Sequence, residues 1–90
     1  MSNRIQPIAT APQLGALLQG TRKSRKLTQA QLGVRMGLSQ KRVSELELAP
    51  GSLSVDQLLD ICNQLGLQLS IQPRDEEQQA TENNRSHRAF

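Results

Sequence analysis

The chain has 90 residues, 1% aromatic content and a formal charge of +3 at pH 7. That length holds one small domain, and with Phe90 as the only aromatic residue the core must be aliphatic. A single cysteine, Cys62, and a single histidine, His87, exclude an internal disulfide and a cysteine-based metal site; no apolar run approaches the roughly 20 residues of a membrane span, so no cofactor, metal or membrane contact is expected.

Residues 1–9 read as a short arm with Ile5 and Ile8 as anchors, and "MSNRIQPIAT" lacks the apolar core of a signal peptide, which makes cytoplasmic location the expectation. Thr10 opens the first helix: Thr10 and Gln13 have capping-box spacing, Pro12 suits a first turn, and Leu14, Leu17 and Leu18 share a face. It extends to about Arg25, weakened locally by Gly15 and Gly20. A second helix spans residues 27–36, with Thr28 and Gln31 as a capping box, Leu27 and Leu32 as a hydrophobic staple, and Gly37 as its stop. Ser39 caps a third helix reaching about Leu48, with Leu38 and Val43 at staple spacing, before "APGS" breaks the pattern. The fourth helix starts at Ser54, with Gln57 closing a third box and Leu53 and Leu58 a third staple; Val55, Leu58, Leu59, Cys62 and Leu65 form its apolar stripe with Ile61 beside it, and Gly66 stops it. Cys62 there reads as a small core residue. Leu67, Leu69 and Ile71 then alternate with Gln68, Ser70 and Gln72, a strand signature ended by Pro73. One strand needs a partner, either residues 4–8 or the same strand of a second copy; the latter predicts a homodimer. Residues 73–90 form a polar tail expected to be disordered alone.

Charge is not spread evenly. Residues 1–72 carry eight Lys or Arg against four Asp or Glu, residues 73–90 three against four, and seven of the basic residues lie between Arg22 and Arg42. Such a cluster suits a polyanionic partner as well as a plain solvated surface. The stretch "LTQAQLGVRMGLSQKRVSELE" decides between them. Counted from Gln29 as position one, small residues fall at five and nine (Gly33, Gly37) and apolar ones at four, eight, ten, fifteen and eighteen (Leu32, Met36, Leu38, Val43, Leu46). That is helix-turn-helix spacing: a small residue where the helices cross, a glycine in the turn, apolar positions that lock the angle. Val43, Leu46 and Glu47 then face inward, and Gln40, Lys41, Ser44 and Glu45 outward. Gln matches adenine, Lys guanine, and Ser several bases, while Lys41 and Arg42 suit phosphate equally well. Arg25 and Lys26 are assigned to phosphate, as is Arg35. An inward carboxylate at Glu47 needs a partner or a proton, and Arg22 is the chosen partner.

Those residues, preceded by "TRKSRKL" and followed by a fourth helix, resemble the Cro/CI (Xre-type) helix-turn-helix family over about residues 10–66. The resemblance implies an all-α, lambda-repressor-like domain of four to five helices with one short C-terminal strand. It implies a phosphate contact at Gln29 with its neighbour Thr28, base contacts at Ser39, Gln40, Lys41 and Ser44, and an Arg22–Glu47 pair linking the first and third helices. The whole layout, from arm to terminal aromatic, is most similar to the HipB-type antitoxins, dimers with paired C-terminal strands that repress their own operon and bind a HipA-like Ser/Thr kinase toxin. In some of these the last aromatic enters the kinase, which corresponds to Phe90, although this chain has Phe rather than Trp there and a longer, more charged tail. The expected division is thus an arm (1–9), a DNA-binding and dimerisation domain (10–72) whose Leu67, Leu69 and Ile71 pair across the dimer, and a tail (73–90). The expected function is repression at a pseudo-palindromic operator of double-stranded DNA. Two alternatives stand beside it: an Xre-type repressor without a toxin, and a protein-binding module that has left DNA. No enzyme is expected, since there is no Ser/His/Asp set and "GTRKS" lacks the first glycine and the strand context of a phosphate loop.

Overall fold

Three of the four helices begin with the same device. At α1 (Ala11–Ser24) the Thr10 hydroxyl accepts from the Gln13 amide and the Gln13 side-chain oxygen accepts from the Thr10 amide. Thr28 and Gln31 do the same for α2 (Gln29–Met36), as do Ser54 and Gln57 for α4 (Val55–Leu65). α3 (Gln40–Leu48) has half of it: Ser39 accepts from the Arg42 amide at 3.1 Å, and Arg42 stands where a Gln would reply. Each cap satisfies donors that the first turn leaves open, worth about 1 kcal/mol apiece. These elements are taken from a computed structural model, which describes residues 5–74. The start of the arm, most of the tail and Phe90 lie outside the described residues.

Three of the helix ends, those of α1, α2 and α4, also share one geometry. Leu27, Leu38 and Leu67 each donate backward across five residues, to Arg22, Gly33 and Cys62, at 3.1, 2.8 and 2.8 Å. The residue before each leucine is left-handed: Lys26 at φ 59°, Gly37 at 71° and Gly66 at 72°. Glycine takes that conformation without steric cost, and lysine does not. Gly37 thus turns the chain sharply enough for α3 to follow α2 with three residues between them.

The apolar residues close around one centre. Leu18, Leu32, Val43, Ile61 and Leu65 are buried, with Leu14, Leu27, Met36, Leu38, Leu53, Leu58 and Leu67 packed partly against them. All three leucine staples are in this cluster. A buried aliphatic side chain contributes about 1.5–3 kcal/mol, so this set carries the fold. α3 lies against both α1 and α2, and α4 against the same pair. A Cβ on Gly33 would overlap the carbonyl oxygen of Leu38, so the small residue does set the approach of α2 to the turn. Gly15, expected only to weaken α1, is buried where that helix crosses the end of α3, against the Glu47 carbonyl and Pro50.

Two expectations need correction. Ile61 sits at the centre of the core, not beside the stripe, while Val55 and Leu59 are exposed (70% and 43%). The α1 and α2 faces meet α4 along Leu58, Ile61 and Leu65, which rotates the stripe by about one residue. "APGS" is more than a break, because Pro50–Ser52 forms a 3-10 turn with Pro50 buried. No strand occurs among the described residues. Leu67 tucks against the core, whereas Leu69 and Ile71 stand exposed (47% and 96%) with no ladder partner among the described residues. No helix among the described residues is long and apolar enough to cross a membrane.

Candidate nucleic-acid interface

α3 is anchored from one side and free on the other. Val43, Leu46 and Glu47 are buried, whereas Ser39, Gln40 and Lys41 are exposed at its amino end and Ser44 is half-buried. Arg42, also half-buried, reaches Glu45 at 3.4 Å along the helix, an exposed pair of little energetic weight.

Behind this end lies the only buried charge pair among the described residues. Arg22 donates from Nε to Glu47 Oε2 at 2.6 Å and from Nη2 to Oε1 at 3.2 Å, and from Nη1 to the Leu27 carbonyl at 2.7 Å. The two side chains are 7% and 2% exposed. Glu47 thus ties α3 to α1, and Arg22 also holds the α1–α2 turn. Such a pair is not strongly stabilising against an apolar substitute, but removing one partner strands a buried charge.

Glu47 has a second partner that pattern reading does not provide. Gln29, the first residue of α2, donates from Nε2 to Glu47 Oε1 at 3.0 Å, and its own Oε1 accepts from Gln40 Nε2 at 3.4 Å. The amino ends of α2 and α3 are therefore joined, which brings Thr28, Gln29, Ser39 and Gln40 onto one surface. Gln29 lies on a different helix from Gln40 and Glu47, so only the folded crossing reveals these contacts. Among the remaining residues assigned to phosphate, Lys26 is exposed in the α1–α2 turn and Arg35 in the last turn of α2. Arg25 is turned elsewhere: its guanidinium stands over Gly66, where a Cβ would meet Nη2 at 2.7 Å, and so places a cation at the carboxyl end of α4. Cys62 is buried in α4, its thiol pushed up by burial, and takes no part in this surface.

The Helix-turn-helix family model matches residues 18–72. No curated protein matches the sequence. Two solved structures share the fold. A complex of a HipB variant with an O2 20mer is 24% identical with a TM-score of 0.72 and covers 80% of this chain and 100% of that one. The "HipB-O4 20mer complex" is 22% identical with a TM-score of 0.71, over 79% and 100%. The chain is a member of the helix-turn-helix family, with the fold seen in HipB.

Proposed function

We propose that this protein is a sequence-specific DNA-binding repressor that acts as a homodimer and serves as the antitoxin autoregulating a HipA-like kinase operon. The observation that carries the DNA reading is the amino end of α3, with Ser39, Gln40 and Lys41 exposed to solvent and Val43, Leu46 and Glu47 locked beneath. A helix so held can enter a major groove by its first turn. Thr28, Gln29, Lys26 and Arg35 border it as phosphate partners, while Lys41 and Arg42 serve base or phosphate. Arg25, occupied at Gly66, contributes through charge at longer range.

The dimer reading is supported by Leu69 and Ile71, which alternate and stand exposed. Paired with the same residues of a second copy they would form a two-stranded ladder beside Leu67. Two α3 helices would then lie about 34–36 Å apart over a pseudo-palindrome. The kinase partner rests on the resemblance of the whole layout and on the HipB fold, with Phe90 as the docking residue.

Duplexes selected from a random library should be bound tightly by the full chain. With roughly 6–8 phosphates neutralised per dimer, log affinity should fall against log salt with a slope of about −5 to −7. A flat salt response, or no selection at all, would reject DNA binding in favour of a protein-binding module. The antitoxin arm is tested separately by co-purification with a kinase from an adjacent reading frame. Failure there, with DNA binding intact, leaves a repressor without a toxin.

A further inference from the structure

We propose that Glu47, besides tying α3 to α1, sets the direction of the Gln29 amide and through it makes Gln40 accept adenine over guanine. This rests on Gln40 reading a base, as argued above. The chain of reasoning starts at a group that water hardly reaches, since the Glu47 side chain is 2% exposed. Both of its oxygens are acceptors only, and Arg22 and Gln29 donate into them. Turning Gln29 over would set its carbonyl oxygen against the carboxylate, acceptor against acceptor. Its Nε2 therefore points inward and its Oε1 outward.

The same restriction passes one residue further. Gln29 Oε1 accepts from Gln40 Nε2, so Gln40 turned over would again oppose two oxygens. Held this way, Gln40 spends one N–H on Gln29. It presents its own oxygen and its second N–H outward, one acceptor and one donor. That pair matches the N6 amino group and N7 of adenine. The reversed amide would offer two N–H groups, which match the O6 and N7 acceptors of guanine. Glu47 is thus a positioning residue for specificity that never touches the duplex.

The test uses the full chain and a random duplex library, with the bound fraction sequenced and the A:G ratio read at each position. Gln40→Ala marks the position that Gln40 reads, as the one whose ratio collapses, and the wild type should favour A there. Gln29→Met removes the middle of the relay and leaves the Arg22–Glu47 pair in place. Glu47→Gln offers an amide that accepts either direction. Each should lower the A:G ratio at that position by about fivefold or more and leave other positions as they were. A lost phosphate contact or a loosened α1 would weaken all duplexes alike without moving the ratio. Should Glu47→Gln fail to fold by circular dichroism, Glu47→Asp, which keeps the charge and withdraws the oxygen from Gln29, takes its place; an unchanged ratio in the folded Glu47 variant overturns the role of Glu47 even where Gln29→Met lowers it. A collapse with Gln40→Ala but an unchanged ratio with Gln29→Met overturns the relay and spares the reading of Gln40. No change with Gln40→Ala, or a wild-type preference for G, overturns both.

Discussion

Replacing Arg22 by Met should come close to unfolding the protein. The substitution removes two charge-assisted bonds to Glu47 and the bond to the Leu27 carbonyl. It leaves a carboxylate with 2% of its side chain exposed and only Gln29 donating to it. Stranding one partner of a buried pair costs about 3–5 kcal/mol, and the half-buried carbonyl about 1 kcal/mol more. A chain of this size has about 4–13 kcal/mol in total. Glu47→Met should cost less, about 2–3 kcal/mol, because Arg22 keeps the Leu27 carbonyl and its long stem can carry the guanidinium to water. The double variant trades the pair for apolar volume and should return to within about 2 kcal/mol of the wild type. The cycle should therefore be non-additive by at least about 3 kcal/mol. With no Trp or Tyr in the chain, urea unfolding is best followed by far-UV circular dichroism, at one protomer concentration. The reasoning fails if Arg22→Met alone stays within about 1 kcal/mol of wild type, or if the two single losses simply add.

Lys26→Gly should raise stability by about 0.5–1 kcal/mol, since lysine there holds a left-handed φ that glycine accepts freely; the same change should reduce the salt slope of DNA binding by about 1 per half-site, and a lower urea midpoint would contradict the first part. Leu69→Asp and Ile71→Asp should each shift the protein to monomer in sedimentation equilibrium with the helical circular dichroism unchanged, and a dimer that survives both would remove the strand-pairing reading. Cys62 should react with iodoacetamide only as fast as the protein opens. Its thiol is pushed up by burial, so the unfolded chain loses that proton first, and stability should decline as pH rises past about 8.5, the ordinary thiol value; Cys62→Ala should flatten that part of the profile.

What could be read from the sequence was what short-range chemistry dictates. The Thr10, Thr28, Ser39 and Ser54 caps, the Gly37 and Gly66 stops and the leucine staples are each settled within about six residues, and they mark four helices in their observed places. The rotation of α4 was not of this kind. Leu58, Leu59, Ile61 and Cys62 leave its apolar side ambiguous by one residue, and only the position of α1 and α2 selects Ile61. Alternation at Leu67, Leu69 and Ile71 says which face a strand would present, but not whether a backbone is there to pair with it. The close crossing at Gly15 was hidden because a glycine in a helix reads as weakness until something is seen to touch it. Gln29 shows the sharpest limit: an amide can donate or accept, and its choice depends on a carboxylate 18 residues away.

The capping boxes have an electrical side. Their third residue is Gln at each of three helices, where Glu would satisfy the same backbone donor, and neither α2 nor α3 has any acidic side chain in its first turn. α4, whose start is not part of the proposed DNA surface, carries Asp56 in that place. A carboxylate at the mouth of α2 or α3 would cancel the partial positive charge of the helix end and repel an approaching phosphate. Uncharged caps leave both ends electropositive at every pH at which the fold survives, so the attraction proposed for this face is built partly into the peptide backbone, where no side-chain titration can switch it off.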